Sequence, residues 1–175
     1  MKKTLLTLAL AAMATVSSFA QGTINPLNGA LTRVKVDLNG DGVGDRNATA
    51  ADGITFSVYW GPAGSAAPEN KLGTLTIGNT DGVMVGLSSI LAVPGAGDAG
   101  TVISLQVRAE GLGRGQTDVK QVSLAPSAGP GSVVWGSSAT ASRFSPLVVS
   151  IVPEPSTIAL GVLGLGSLLL FRRRK

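Results

Sequence analysis

The stretch "ITFSVYW", Ile54–Trp60, sets the fold class of this chain. Its residues alternate between apolar and polar types over seven positions. A period of two is the repeat of a β-strand, in which successive side chains point to opposite faces. One face of this strand would carry Ile54, Phe56, Val58 and Trp60, and the other Thr55, Ser57 and Tyr59. The stretch therefore predicts a strand with one face in a core.

Two further stretches show the same alternation, "TVISLQVRA" from Thr101 and "LVVSIV" from Leu147. Weaker candidate strands are Leu31–Val36, Leu72–Ile77, Val83–Leu87, Val119–Leu124 and Ser132–Trp135. Glycine- and proline-rich turn signals separate them, including "GLGRG" at Gly111–Gly115. The pattern predicts an all-β domain over residues 21–151, an antiparallel β-sandwich of about seven or eight short strands.

The first twenty residues are typical of a secretory signal peptide. Lys2 and Lys3 supply the positive start, an apolar stretch follows from Leu5, and small residues precede a cleavage point between Ala20 and Gln21. We expect residues 1–20 to be removed by signal peptidase after passage through the general secretion machinery. The domain that follows would then be exported.

Composition excludes several functional classes. The chain has no His and no Cys, which removes Ser-His-Asp triads, thiol nucleophiles and the usual zinc sites. Its net charge of +4 comes from the two ends, because residues 21–151 hold eight basic and nine acidic side chains. Nucleic-acid binding is therefore not predicted. We expect a protein that is not an enzyme.

One acidic stretch between the strands could bind a cation, "DLNGDGVGDRNA", residues 37–48. Oxygen ligands stand at positions 1, 3, 5, 7 and 9 of a calcium loop, namely Asp37, Asn39, Asp41, the Val43 carbonyl and Asp45. The stretch resembles the acidic loops of thrombospondin type 3 and dockerin-like repeats. It departs from them at position 12, where Ala48 replaces a carboxylate that Asp52 could supply if the loop bends back. The alternative is a Gly/Asp-rich hairpin turn.

Three aromatic residues allow a second interpretation of the domain. Tyr59, Trp60 and Trp135 could offer stacking surface to a sugar ring, or they could pack in the core and at its rim. Together with the acidic loop, they define a calcium-assisted carbohydrate- or ligand-binding module as the alternative function.

The chain ends in "VPEPSTIALGVLGLGSLLLFRRRK", Val152–Lys175. The prolines of the box Pro153, Glu154 and Pro155 keep the preceding residues extended and block helix formation. An uncharged run over residues 156–171 follows, about 24 Å long as a helix and predicted to span a membrane. The basic residues 172–175, which include Arg172, Arg173 and Arg174, would stay cytoplasmic and leave the domain outside.

These three features in this order resemble the bacterial PEP-CTERM sorting signal, over residues 152–175. The resemblance implies recognition by an exosortase near the Pro-Glu-Pro box, and a transient membrane anchor. It also implies a final place at the cell-envelope surface or outside the cell, in association with exopolysaccharide. The leading hypothesis is therefore an exported, non-enzymatic surface or extracellular-matrix protein.

Overall fold

The computed structural model describes residues 21–111, 113–136 and 143–151. These residues form twelve strands and one 3-10 turn, Ala50–Asp52. The strands are β1 Thr23–Asn25, β2 Lys35–Asp37, β3 Arg46–Asn47, β4 Thr55–Pro62, β5 Asn70–Ile77, β6 Met84–Val85, β7 Leu91–Ala92, β8 Val102–Glu110, β9 Gly113–Gln116, β10 Lys120–Ser123, β11 Ser132–Val133 and β12 Val148–Ile151. The predicted all-β class is confirmed. The predicted signal peptide and the predicted membrane span lie outside the described residues, and no helix within those residues is long and apolar enough to cross a bilayer.

The centre of the domain is the antiparallel pair β4 and β8, in register from Thr55 opposite Glu110 to Pro62 opposite Ile103. The alternation in both strands places their apolar side chains on one face. Phe56, Val58, Leu105 and Val107 are fully buried on that face. The pattern that predicted these strands therefore also predicted which side of them forms the core.

Two sheets contribute to a single apolar cluster. The larger has the strand order β3-β2-β12-β9-β8-β4-β5-β6, with β10 also pairing with β8, and the smaller has the order β11-β1-β7. The cluster combines Ile24 of β1 and Val93, which follows β7, with the inner face of β4 and β8. This is roughly the predicted sandwich arrangement.

The sheets are mixed, however, and the prediction of a purely antiparallel arrangement was wrong. Strands β1 and β11 pair in parallel, and so do β2 and β12. Parallel partners need a long connection, and more than a hundred residues separate the members of each pair. The strand number also exceeds seven or eight, because four additional strands (β1, β3, β7 and β9) lie outside the stretches predicted as strands.

The glycine-rich stretch "GLGRG" contains a strand, although the sequence predicted only a turn. Gly113–Gln116 forms β9, which lies between β8 and β12. A Cβ atom at Gly115 would come 2.7 Å from the Val148 carbonyl oxygen. Glycine at position 115 therefore allows β9 and β12 to approach closely, and not every glycine of this stretch serves a turn.

Candidate functional site

The acidic stretch folds as the loop that joins β2 to β3. Gly40 and Gly42 adopt φ angles of +79° and +81°, a conformation that glycine reaches without steric strain. Their N–H groups both point at the side chain of Asp37. The loop therefore has its first acidic residue at its centre.

Asp37 is 1% exposed, and its carboxylate accepts four hydrogen bonds. Its Oδ1 accepts from the N–H groups of Asn39 at 3.2 Å and Gly40 at 2.6 Å. Its Oδ2 accepts from Gly42 N–H at 2.9 Å and from the Ser150 hydroxyl at 3.1 Å. Burial acts to raise the pKa of Asp37, but these hydrogen bonds outweigh it and hold the pKa below the usual 3.8.

The other predicted calcium ligands also bond within the loop. The Asn39 amide donates to Asp41 Oδ2 at 3.1 Å, and the Val43 N–H donates to Asp41 Oδ1 at 2.7 Å. Asp45 Oδ2 accepts from the Leu38 N–H at 2.7 Å. The acidic side chains thus stabilise the loop backbone by capping its N–H groups.

In this conformation the fit to a calcium ion is incomplete. Hydrogen-bond donors face both oxygens of Asp37, whereas a cation needs lone pairs directed at it. The residues that the structure describes contain no group of three or more His, Cys, Asp or Glu side chains that could hold a metal ion. Calcium binding by Asp37, Asn39, Asp41, Val43 and Asp45 stays a prediction.

The possible substitute for the missing twelfth ligand, Asp52, makes other contacts. Arg46 holds its carboxylate in two hydrogen bonds, of 2.5 and 2.8 Å. The Thr49 N–H also donates to Asp52 Oδ2, at 2.7 Å. The Arg46 guanidinium is the main cause of the strongly lowered pKa of Asp52. Asp52 therefore stabilises the start of the 3-10 turn in this structure.

The three aromatic residues do not form one platform. Tyr59 and Trp60 follow each other along β4, so their side chains lie on opposite faces. The Arg108 guanidinium covers the Tyr59 ring at 4.4 Å from its centroid, and the Tyr59 hydroxyl donates to Glu110 Oε1 at 3.0 Å. This arrangement removes one face of the Tyr59 ring from contact with a ligand.

Trp135 packs in the core, as the packing interpretation expected. It is 4% exposed, its indole N–H donates to the Pro26 carbonyl at 2.9 Å, and its ring centroid lies 5.2 Å from that of Phe144. It also borders a cleft of about 550 Å³ together with Leu27 and Leu31. Its ring is therefore unsuited to open stacking with a sugar.

Trp60 is half-buried and lines a second cleft, of about 420 Å³. The cleft lies between β5 and the segment around β7. Its other lining residues are Asn70, Lys71, Leu72, Leu91, Ala92 and Pro94. An indole beside an amide and an ammonium group is a chemically reasonable site for a polar ring.

Sequence reasoning missed the contact between Ser150 and Asp37. The two residues are separated by 113 positions and meet because β12 lies beside β2, with Ser150 opposite Asp37. Strand β12 has a partner on each side, β2 and β9. A periodicity within each strand carries no signal for which strands become neighbours.

Strand β12 leads directly into the predicted sorting signal. The box of Pro153, Glu154 and Pro155, the basic residues Arg172, Arg173 and Arg174, and Ala20 of the predicted signal cleavage lie outside the described residues. Gln21 is the first described residue, and cleavage before it stays a prediction.

Comparison with known families identifies the end of the chain. The model of the family described as PEP-CTERM protein-sorting motif matches residues 152–175. No curated protein and no solved structure matches the chain. The recognition of a PEP-CTERM sorting signal is confirmed. This motif implies export, membrane anchoring for sorting and processing by an exosortase.

Proposed function

We propose that this protein is a non-enzymatic component of the cell surface or extracellular matrix, which an exosortase sorts through its C-terminal motif. The observation that carries the proposal is the match of residues 152–175 to the PEP-CTERM motif, directly after the last strand of a β domain. The absence of His and Cys from the whole sequence supports a structural role for the domain.

The arrangement also suggests how sorting delivers the domain. Strand β12 ends at Ile151, and the motif begins at Val152. Processing near Pro153 would remove the apolar and basic residues and leave the sheet complete. The product would be a folded β domain with a short C-terminal extension, released or transferred at the envelope.

Mass spectrometry of the mature C-terminus, after cell fractionation, tests this proposal. In the native host, wild-type protein should lack the peptide containing Arg172–Lys175. The variant Pro153→Ala/Glu154→Ala/Pro155→Ala should retain this peptide and accumulate in the membrane fraction.

A matched control replaces two exposed prolines of the domain, Pro126→Ala/Pro130→Ala, and should be processed like the wild type. Recovery of the intact C-terminal peptide from surface-located wild-type protein would contradict processing. Equal processing of the triple variant and the control would contradict recognition of the box.

A second candidate function is ligand binding, with a saccharide as the ligand class. Trp60 in its cleft with Asn70 and Lys71 favours it, because an indole face stacks on the apolar face of a sugar ring. Affinity electrophoresis in gels containing host exopolysaccharide should show retardation of the wild type and loss of retardation for Trp60→Ala. Trp60→Phe keeps a ring and should retain part of the effect, and equal mobility of all three proteins would contradict this function.

Calcium assistance of such binding has a separate test. Calorimetric titration at millimolar calcium should give heat for the wild type and less heat for Asp41→Asn, which removes an exposed carboxylate of the loop. The millimolar range follows from the weak affinities of extracellular calcium modules. No heat and no shift of the melting temperature in the wild type would contradict the calcium loop.

A further inference from the structure

The sheet has an edge at which the chain leaves the domain, and the acidic loop lies at the same edge. Strands β2 and β12 are parallel and end together, with Ser150 opposite Asp37. The loop of residues 38–45 follows β2 directly, and the sorting motif follows β12 after Ile151. We call this side of the domain the exit edge.

The register extends this edge across the sheet. Ser150 is opposite Arg114 at the start of β9, and the end of β8 at Glu110 is opposite Thr55 of β4. The other end of β8, at Val102, is eight residues away, which corresponds to about 26 Å at about 3.3 Å per residue. The length of β8 therefore approximates the distance between the exit edge and the opposite side of the domain, the far edge, where Val102 lies.

Two large apolar side chains on the loop are open to solvent at the exit edge. Leu38 is 54% exposed and Val43 is 65% exposed. The N–H groups of both residues are hydrogen-bonded to acidic side chains of the loop. Because these polar groups already have partners, moving the loop into a less polar environment costs less than it would for a loop with free N–H groups.

The chain beyond the domain restricts what this edge can face. The uncharged run of the sorting motif begins at Ser156, five residues after Ile151, which is about 18 Å of fully extended chain. With that run in a bilayer, the exit edge stays within this reach of the membrane. A short tether also raises the effective concentration of the lipid surface to the millimolar range, so that a weak contact is populated.

We propose that the exit edge is a lipid-facing surface, and that Leu38 and Val43 rest in the headgroup region of the bilayer that holds the sorting motif. This inference rests on the proposed function, because it needs the membrane-anchored form. Asp41 and Asp45 give the loop negative charge, so its contact does not depend on anionic lipid. The exit edge, with the Glu110 end of β8, would therefore lie near the membrane and the Val102 end of β8 far from it, until processing releases the domain.

Single-cysteine variants test the orientation, since the natural chain has no Cys. Full-length Leu38→Cys, Val43→Cys and Val102→Cys would be labelled with a fluorophore and reconstituted in phosphatidylcholine vesicles that contain acyl-brominated lipid. Val102 is a matched control, an apolar residue 43% exposed at the far edge. We expect at least about twofold quenching at positions 38 and 43, and no quenching at 102.

Vesicle flotation distinguishes a failure of the lipid-facing edge from a failure of membrane anchoring. If the protein floats with the vesicles but all three positions are quenched equally, or none is, only the lipid-facing edge is overturned. If the protein does not float, membrane anchoring fails and the proposed function fails with it. Circular dichroism of each labelled protein verifies that the sheet has formed.

A second set of variants tests the contribution of the apolar side chains themselves. A label at exposed Asn39→Cys reports on the same loop while Leu38 and Val43 stay natural. Adding Leu38→Ser and Val43→Ser to this labelled variant should reduce its quenching at least about twofold, whereas adding Val102→Ser should leave it unchanged. Unchanged quenching in the Leu38/Val43 variant would overturn the role of these two side chains.

Discussion

The central pair β4/β8 and the exit-edge pair β2/β12 are stabilised by different interactions. The central pair has eight residue pairs in register and an apolar face on which Phe56, Val58, Leu105 and Val107 are fully buried. The exit-edge pair has three, from Val148 opposite Lys35 to Ser150 opposite Asp37, and ends in a carboxylate that accepts four hydrogen bonds. The stability of the central pair should therefore depend on buried side-chain volume. The stability of the exit-edge pair should depend on the charge of Asp37 and on pH.

The largest effect is expected from a cavity in the central pair. Phe56 is fully buried in β4, and Phe56→Ala should lower the free energy of unfolding by about 3–5 kcal/mol. Urea denaturation followed by tryptophan fluorescence measures this loss. Val102→Ala, in an exposed position of β8, should change stability by less than about 0.5 kcal/mol. Similar small changes for both variants would contradict the central position of β4 in the core.

A smaller effect is expected at the exit edge from Asp37→Asn. The amide presents only one acceptor oxygen to a site with four donors, so some N–H or O–H groups lose their partner. We expect a loss of stability between those of Phe56→Ala and Val102→Ala, with faster amide exchange in β12. Asp41→Asn, on the exposed part of the loop, is the matched control and should leave β12 exchange unchanged. Equal exchange in both variants would contradict the role of Asp37 in holding β12.

Acid should reduce the difference in unfolding free energy between the wild type and Asp37→Asn. The pKa of Asp37 is lowered in the folded state, so its carboxylate contributes stability above the unfolded pKa, and this contribution is lost as the pH falls through the folded value. The difference should be full at neutral pH and should shrink below pH 3.8, the ordinary value. Denaturation curves of both proteins between pH 7 and pH 2 measure it. A difference that does not depend on pH would indicate that shape, not charge, matters at this position.

The smallest effect is expected at the ion pair beside the exit edge. The Arg46 side chain is 40% exposed while it holds Asp52, and solvent screens such pairs to about 0–1 kcal/mol. Arg46→Ala should therefore cost about 0.5 kcal/mol at low salt, and less in 1 M sodium chloride because the wild-type pair is screened. Thermal unfolding at both salt concentrations measures the change. A loss that does not decrease at high salt would show that Arg46 acts through packing instead of charge.

The two pairs also differ in what sequence alone could predict about them. Strand β4 has seven alternating residues, so its extent and its buried face follow from local pattern. Strands β2 and β12 were also predicted, β2 largely within Leu31–Val36 and β12 within the stretch from Leu147, but their parallel pairing was not, because a local pattern does not indicate which strands become neighbours. The calcium-loop spacing at Asp37–Asp45 predicted converging oxygen ligands. In the structure, the acidic side chains of the loop accept hydrogen bonds from loop N–H groups, which residue spacing alone does not predict, and calcium binding stays a prediction.

The sequence by itself determined the all-β class, the inner face of the central strands and the sorting motif at the end of the chain, because each depends on residues that are close together along the chain. Tertiary structure decided that β12 pairs with β2, that Ser150 reaches Asp37, and that Leu38 and Val43 share an edge with the chain's exit. These contacts join residues more than a hundred positions apart, and they arise when burial of the common core brings separate strands into one sheet.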